Sequence, residues 1–207
     1  IMNNIFDDIF TDADYDQLNN LVRWNGLNRI NNESVAHHSF IVSWFSRILV
    51  EEMFPEGEEK LKLDVTTYAI FHDFDEMFSG DITHNVKYNK YNGHKIKELI
   101  DDYCYHMVNT KFKEFSPTNN MLKSYLLGDN DPVVKTIVKL ADWLSMLFYV
   151  KKEITLGNKD LYKEFDYCVE KIRESSGKCF KALKERGKFE EQVLVDISSL
   201  NYTKYGR

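Results

Sequence analysis

What is scarce in this chain narrows its fold before any motif is considered. Three prolines and nine glycines punctuate 207 residues, too few for the tight turns of a β-sandwich or barrel, so helices are expected. The three cysteines, Cys104, Cys168 and Cys179, are odd in number and widely spaced. With no C-x-x-C pair they predict neither a disulfide framework nor a zinc finger, and a cytoplasmic setting is expected. No run of about 18 apolar residues occurs, and no basic segment leads into an apolar stretch near the start, which argues against membrane spanning and secretion. Lys and Arg number 27 against 33 Asp and Glu, a net charge of −6. Long nucleic acid is therefore not an expected partner, because neutralising many phosphates needs a clustered basic surface. A small nucleotide remains possible, served locally by a metal and two or three cations.

Hydrophobic residues make up 43% of the chain and aromatics 14%, enough for one compact domain over residues 2–207. Apolar residues recur at helical spacing. A first amphipathic stretch is predicted from about Tyr15 to Trp24, followed by a polar loop over Asn25 to Asn32. Helices are predicted over Ser34 to Phe54, stopped by Pro55 and Gly57, and over Leu61 to Phe78, stopped at Ser79-Gly80. Further helical pattern covers Ile96 to Met107. A connection over Phe115 to Asn120 precedes a short helix from Met121 to Leu127, ending near Gly128. Pro132 opens a helix running to about Leu156. Two last stretches, about Lys159 to Lys184 and Phe189 to Leu200, complete an all-α bundle with its core in about 15–157. There is no internal repeat and no linker.

Three polar intrusions into apolar helices carry the chemistry. His72-Asp73 follows Tyr68-Ala-Ile-Phe71 in the middle of a predicted helix, and a buried carboxylate there needs a partner. Glu76 lies four residues beyond His72 and three beyond Asp73, on the same helix face. Asp142 is the one acidic residue between Pro132 and Glu153. His37 and His38 are adjacent on the second helix, and helix phase does not say which imidazole points inward. Two imidazoles and two carboxylates would suit one divalent transition metal, Co²⁺, Mn²⁺, Zn²⁺, Fe²⁺ or Ni²⁺. Such an ion would polarise a phosphoryl oxygen and lower the pKa of a bound water. The same residues also have a structural reading, a hydrogen-bonded buried histidine and an aspartate paired with a lysine.

In order, His38, His72-Asp73 and Asp142 reproduce the H…HD…D signature of the HD-domain phosphohydrolase superfamily. Arg23-Trp24, Glu33-Ser-Val-Ala-His-His38-Ser39, His72-Asp-Phe-Asp-Glu-Met-Phe-Ser-Gly-Asp81 and Val86-Lys87-Tyr88 further resemble the bacterial 5′-deoxynucleotidases of the YfbR type, over residues 23 to about 157. The resemblance implies that His38, rather than His37, joins His72, Asp73 and Asp142 as a metal ligand. It makes Glu76 the residue that orients or deprotonates the attacking water, and places Asp81 near the sugar and the water. Arg23 would meet the phosphate and Trp24 the sugar, and Lys87 would serve as a phosphate-binding or structural cation. Ile82-Thr-His-Asn85 departs from the family pattern, leaving His84 open as a phosphate ligand, a proton shuttle or a solvent-facing residue. The implied activity is hydrolysis of deoxynucleoside 5′-monophosphates by a homodimer. A dNTP triphosphohydrolase and a non-catalytic nucleotide sensor stand as alternatives.

Overall fold

The computed structural model describes residues 16–87, 89–112, 117–127 and 130–200, and of residues 84, 85, 118 and 127 the backbone alone. Among these residues there is no strand, only an isolated antiparallel bridge between Val22 and Ser34. The expected all-α class is what the chain adopts.

Two helices start on side-chain caps. Ser34 Oγ accepts from the His37 amide at 3.1 Å and opens α2 (Val35–Met53), preceded by the short α1 (Gln17–Asn20). Asp131 Oδ1 accepts from the Val133 amide at 2.8 Å and opens the helix Pro132–Thr155, with the proline in the first turn, where its missing N–H costs nothing. Between them run α3 (Glu59–Phe71), α4 (Glu76–Ser79), α5 (His84–Lys87), α6 (Gly93–Lys111) and α7 (Pro117–Leu127), which makes Pro132–Thr155 α8. A 3-10 turn over Lys159–Leu161 leads into α9 (Tyr162–Arg186), and α10 (Gln192–Ser199) follows.

The main core lies where α2, α3, α8 and α9 meet. Val42, Val50, Met53, Leu61, Val65, Ile137, Leu140, Ala141, Ile172 and Leu183 are all buried there. Helix α8 buries residues on nearly every side, from Val133 through Ala141 and Trp143 to Glu153, so any polar group it carries inward must be matched by another element. A smaller cluster of Val108, Phe112 and Leu122 joins α6 to α7 and packs on Phe71, Phe74 and Phe78.

The chain departs from the sequence pattern in three places. The first amphipathic stretch is not one helix to Trp24. Helix α1 ends at Asn20, and residues 21–23 pair with 33–35, Arg23 N–H donating to Glu33 O at 2.8 Å and Val35 N–H to Leu21 O at 3.0 Å. Pairing with a segment a dozen residues away overrides a local helical period. Helix α7 begins at Pro117, inside the expected connection, because proline suits a first helical turn. The largest departure is at His72, which lies at the end of a helix, not in its middle. Helix α3 stops at Phe71, the chain turns through 72–75, and α4 resumes at Glu76. His72 Nδ1 sits 2.7 Å from Ala69 O, occupying a carbonyl that a continued helix would use. The amides of Phe74, Glu76 and Met77 then bond three residues back. Gly80 follows at φ 72°, a conformation glycine adopts without steric cost. Tyr15, Tyr88, Phe115, Ser116, Gly128 and the side chain of His84 lie outside the described residues.

Candidate metal centre and adjoining cavity

Three elements bring the predicted cluster together. His38 comes from the first turn of α2, His72 and Asp73 from the turn after α3, and Asp142 from the middle of α8. One ligand-type atom from each of His38, His72 and Asp73 lies within 4.8 Å of the others. Asp73 Oδ2 is 3.7 Å from His38 Nε2 and 3.3 Å from His72 Nε2. Asp142 Oδ1 reaches His38 Nε2 at 3.1 Å, while its Oδ2 accepts from Lys139 Nζ at 2.6 Å. Asp142 thus has the lysine partner of the structural reading and also faces the cluster. His37 is more than half exposed, beside Glu33 at 3.9 Å, and is turned away from it.

The donor set fits a transition metal. Both Nε2 atoms are buried and have carboxylate oxygens close by, Asp142 Oδ1 at 3.1 Å and Asp73 Oδ2 at 3.3 Å, yet neither makes a well-aligned hydrogen bond, an arrangement that a cation shared by the imidazoles and carboxylates would complete. The other nitrogen of each ring is held: His38 Nδ1 is 3.2 Å from Ser145 Oγ, and His72 Nδ1 contacts Ala69 O. Fixing one imidazole nitrogen orients the other toward a ligand position. Burial and the Arg23 charge push His38 down to about 4, keeping it neutral. Although burial opposes ionisation, His72 and Arg23 hold the Asp73 carboxyl well below the usual range. Lys139 and His38 do the same for Asp142.

Around this cluster stand the groups expected to meet a substrate. Arg23 Nη1 donates to Asp73 Oδ2 at 2.7 Å, and the guanidinium stays charged despite burial because Asp73, Asp142, Glu76 and Glu33 surround it. Glu76 is 4% exposed; burial and the Asp73 charge push its carboxyl up to about 8. Lys87 Nζ donates to Glu76 Oε1 at 3.2 Å, while Glu76 Oε2 is buried without a partner. Lys87 therefore pairs with the candidate base, a role more specific than a general phosphate cation. Asp81 is half-buried, and burial raises its carboxyl.

Trp24 sits at φ 65°, a left-handed backbone uncommon for a bulky residue. Its surroundings hold it there. The indole Nε1 donates to Glu33 Oε2 at 2.9 Å, its ring stacks on Tyr149, and Arg29 Nη1 donates to its carbonyl at 3.1 Å. The Asn-rich loop behind it is pinned to α8. Buried Glu153 accepts from the amides of Ile30 and Asn31 at 2.6 and 2.8 Å and from Asn158 Nδ2 at 3.0 Å, and Tyr149 Oη donates to Asn31 O at 2.6 Å. Ser145, Tyr149 and Glu153 were missed in the sequence. A serine and a glutamate inside an apolar helix are the same kind of signal that exposed Asp142.

Two spaces open beside the cluster. A cavity of 880 Å³ runs from Arg23, Trp24 and Asp81 to Trp143, Met146 and α9, where Glu164, Tyr167 and Cys168 line it. Burial pushes the Cys168 thiol up to about 12, so it is no nucleophile. A smaller space of 300 Å³ touches His72, Asp73 and Asp142 and is walled by Lys87, Lys97, Lys135 and Lys139.

Residues 13–186 match the sequence model of a family described as 5′-deoxynucleotidase YfbR-like. A 4′-phosphooxetanocin A phosphatase of Priestia megaterium is 31% identical over 145 residues, 70% of this chain and 73% of that protein. A 5′-deoxynucleotidase of Shewanella oneidensis is 32% identical over 146 residues, 67% of this chain and 71% of that protein. Among solved structures, an HD-domain phosphohydrolase of Listeria innocua superposes with a TM-score of 0.66 at 20% identity, covering 97% of this chain and 89% of that one. The HD phosphohydrolase of cyanophage S-2L, bound to dA and one catalytic Zn²⁺, superposes with a TM-score of 0.57 at 13% identity, covering 96% and 99%.

Proposed function

The chain belongs to the YfbR-like 5′-deoxynucleotidase family, and from that premise we propose that it hydrolyses deoxynucleoside 5′-monophosphates to deoxynucleoside and inorganic phosphate. The observation that carries the reading is the convergence of two buried Nε2 atoms without well-aligned hydrogen bonds on Asp73 and Asp142, with Glu76 just past the turn that carries His72 and Asp73. His38, His72, Asp73 and Asp142 would hold one divalent transition metal. Zn²⁺ is one candidate because the cyanophage relative carries it, and Co²⁺, Mn²⁺, Fe²⁺ and Ni²⁺ suit the same nitrogen and oxygen donors. When bound, the ion supplies Lewis-acid polarisation and lowers the pKa of water.

The chain's own groups do the rest. Arg23 neutralises the phosphoryl oxygens, its planar fork offering two parallel N–H donors. Glu76 takes the proton of the attacking water, and its raised pKa suits a group that must hold a proton and later release it near neutrality. Lys87 fixes the Glu76 carboxylate. Asp81, on the cavity wall beside Arg23 and Trp24, meets the sugar hydroxyl or the leaving oxygen. The Trp24 ring, held flat against Tyr149, offers the sugar an apolar face that favours deoxyribose.

One observation supports a second reading. Lys87, Lys97, Lys135 and Lys139 line the 300 Å³ space together with Asp75 and Asp101, and by exchanging their carboxylate partners for phosphate these lysines could hold the extra phosphates of a dNTP, the product then being triphosphate. The exposed α2 stripe of Phe40, Trp44 and Ile48, continued by Phe148 of α8, supports a homodimer through that face. Among the described residues no helix is long and apolar enough to cross a membrane. The deciding experiment is chromatographic analysis of products from each dNMP, rNMP and dNTP, with Co²⁺, Mn²⁺, Zn²⁺ or Mg²⁺ in turn. Deoxynucleoside and phosphate from dNMPs are expected. Intact triphosphate from dNTPs moves the assignment to the second reading, and no turnover with any metal leaves a nucleotide sensor.

A further inference from the structure

An apolar ring discriminates against a hydroxyl only if it stays in one place, because the penalty arises where the hydroxyl would be buried without a partner. Trp24 is a hard residue to keep in place. Its left-handed backbone, at φ 65°, is costly for a bulky side chain and persists only when neighbours over-determine it. The stack on Tyr149 fixes the plane of the indole, inclined by 12° with centroids 5.0 Å apart. A stack alone does not fix how the ring turns or slides within that plane.

Glu33 supplies the missing restraint. Its Oε2 accepts from Trp24 Nε1 at 2.9 Å, and its carbonyl accepts from the Arg23 amide at 2.8 Å. The backbone and side chain of one residue thus hold the Arg23-Trp24 pair at two points. The Glu33 carboxyl is buried, where an ionised group is costly. An ion pair with Arg23 would be the ordinary explanation. However, Arg23 Nε stands 3.7 Å from Glu33 Oε2 and makes no hydrogen bond, while Nη1 of the same guanidinium goes to Asp73. His37 Nδ1, at 3.9 Å from Oε1, is no closer. Among the described residues, the indole N–H is the one well-formed hydrogen bond of this carboxylate.

We propose that Glu33 is a positioning residue for sugar recognition: by holding the indole Nε1 it fixes which part of the Trp24 ring meets the 880 Å³ cavity, and so sets the preference for 2′-deoxyribose over ribose. A ring free to turn in its plane leaves a 2′-hydroxyl access to water. A fixed ring leaves it buried and unpaired. The inference rests on the proposed reading that Trp24 meets the sugar of a nucleotide in this cavity.

Binding of 2′-deoxyadenosine and of adenosine, which requires no hydrolysis, tests it by calorimetry on the full metal-loaded chain and on Glu33→Gln, Glu33→Met and Trp24→Phe, each with a melting curve. The wild type should bind deoxyadenosine about tenfold tighter than adenosine, or more. Glu33→Gln and Glu33→Met are similar in size and both remove the charge beside Arg23, but only the first keeps an acceptor for the indole. Glu33→Gln should therefore hold the ratio within about twofold of wild type, and Glu33→Met should reduce it to about threefold or less. Adding Glu33→Met to Trp24→Phe, which lacks the donor, should change the ratio no further. Equal ratios in Glu33→Gln and Glu33→Met, a further fall in the double variant, or no sugar preference in the wild type would each overturn the assignment. Should Glu33→Met not fold, Trp24→Phe carries the test from the donor side, and a wild-type ratio in it would overturn the assignment as well. Absence of dNMP hydrolysis alongside a preference that depends on Glu33 would overturn the proposed reaction and leave the positioning role standing.

Discussion

Tyr149 lies parallel to Trp24, the ring centroids 5.0 Å apart and the planes inclined by 12°. The same phenol donates to the carbonyl of Asn31, so one α8 side chain supports both the ring proposed to meet the sugar and the loop that carries it. The two contributions separate by substitution. Tyr149→Phe should cost about 0.5–1.5 kcal/mol in urea unfolding, the worth of one hydrogen bond, and leave the stack in place. Tyr149→Ala should cost about 3–5 kcal/mol, as for other buried aromatics, and raise KM for dNMPs more than Tyr149→Phe does. Equal costs would mean that the stack contributes nothing to the fold.

Glu153 gives the loop a pH-dependent anchor. Burial opposes its ionisation, but the amides of Ile30 and Asn31 and the side chains of Asn158 and Asn31 favour the carboxylate and hold it below the usual range. A carboxyl whose folded pKa is depressed stabilises fully above its unfolded value of about 4.3 and loses that contribution as pH falls through the folded value. Glu153→Gln should therefore cost about 1–3 kcal/mol near neutrality, with the gap to wild type narrowing once pH drops below about 4. A gap constant across that range in denaturant titrations would remove the charge from the account.

The all-α class and the spans of α2, α8 and α9 were legible because their signals are local: helical period, the stop at Pro55 and Gly57, and Pro132 in a first turn. The candidate cluster was legible because His72, Asp73 and Asp142 interrupt apolar surroundings. The pairing of residues 21–23 with 33–35 was not, since no single segment encodes it. Nor was the helix break at His72, which depends on where one imidazole finds a carbonyl. Ser145 and Glu153 act on residues 107 and 123 positions away, and a pattern read along one helix does not name such partners.

If His72 and Asp142 are ligands, His72→Ala and Asp142→Ala should each lose the bound equivalent of metal after dialysis, measured by elemental analysis beside wild type. Asp142 is the sharper case, because one of its oxygens already pairs with Lys139. Retained metal in Asp142→Ala with a native melting profile would leave only its structural pairing. Unchanged metal in both variants would refute the ligand set.

Glu76→Gln keeps the shape of the side chain and removes its basicity. It should retain metal and dNMP binding and lower kcat by about 10²–10⁴-fold. Lys87→Met, which frees the Glu76 oxygen held at 3.2 Å, should lower kcat less and shift the pH profile to higher values, because the lost cation no longer favours the carboxylate. Wild-type turnover in Glu76→Gln would take the residue out of the mechanism.

Ser145 touches no proposed substrate atom, yet its Oγ holds His38 Nδ1 at 3.2 Å in a fully buried contact. Without that contact the His38 ring loses the partner that fixes its orientation, and Nδ1 is left buried and unpaired. Partners of this kind typically contribute 10–100-fold to metal affinity. Ser145→Ala should therefore weaken metal binding by about that factor in chelator competition, and high metal concentration should restore most of the lost activity. Ser145→Thr keeps the hydroxyl and should retain affinity if the small extra methyl is accommodated, which a melting curve reports. Loss of stability in Ser145→Ala with metal affinity intact would make the serine a packing residue only.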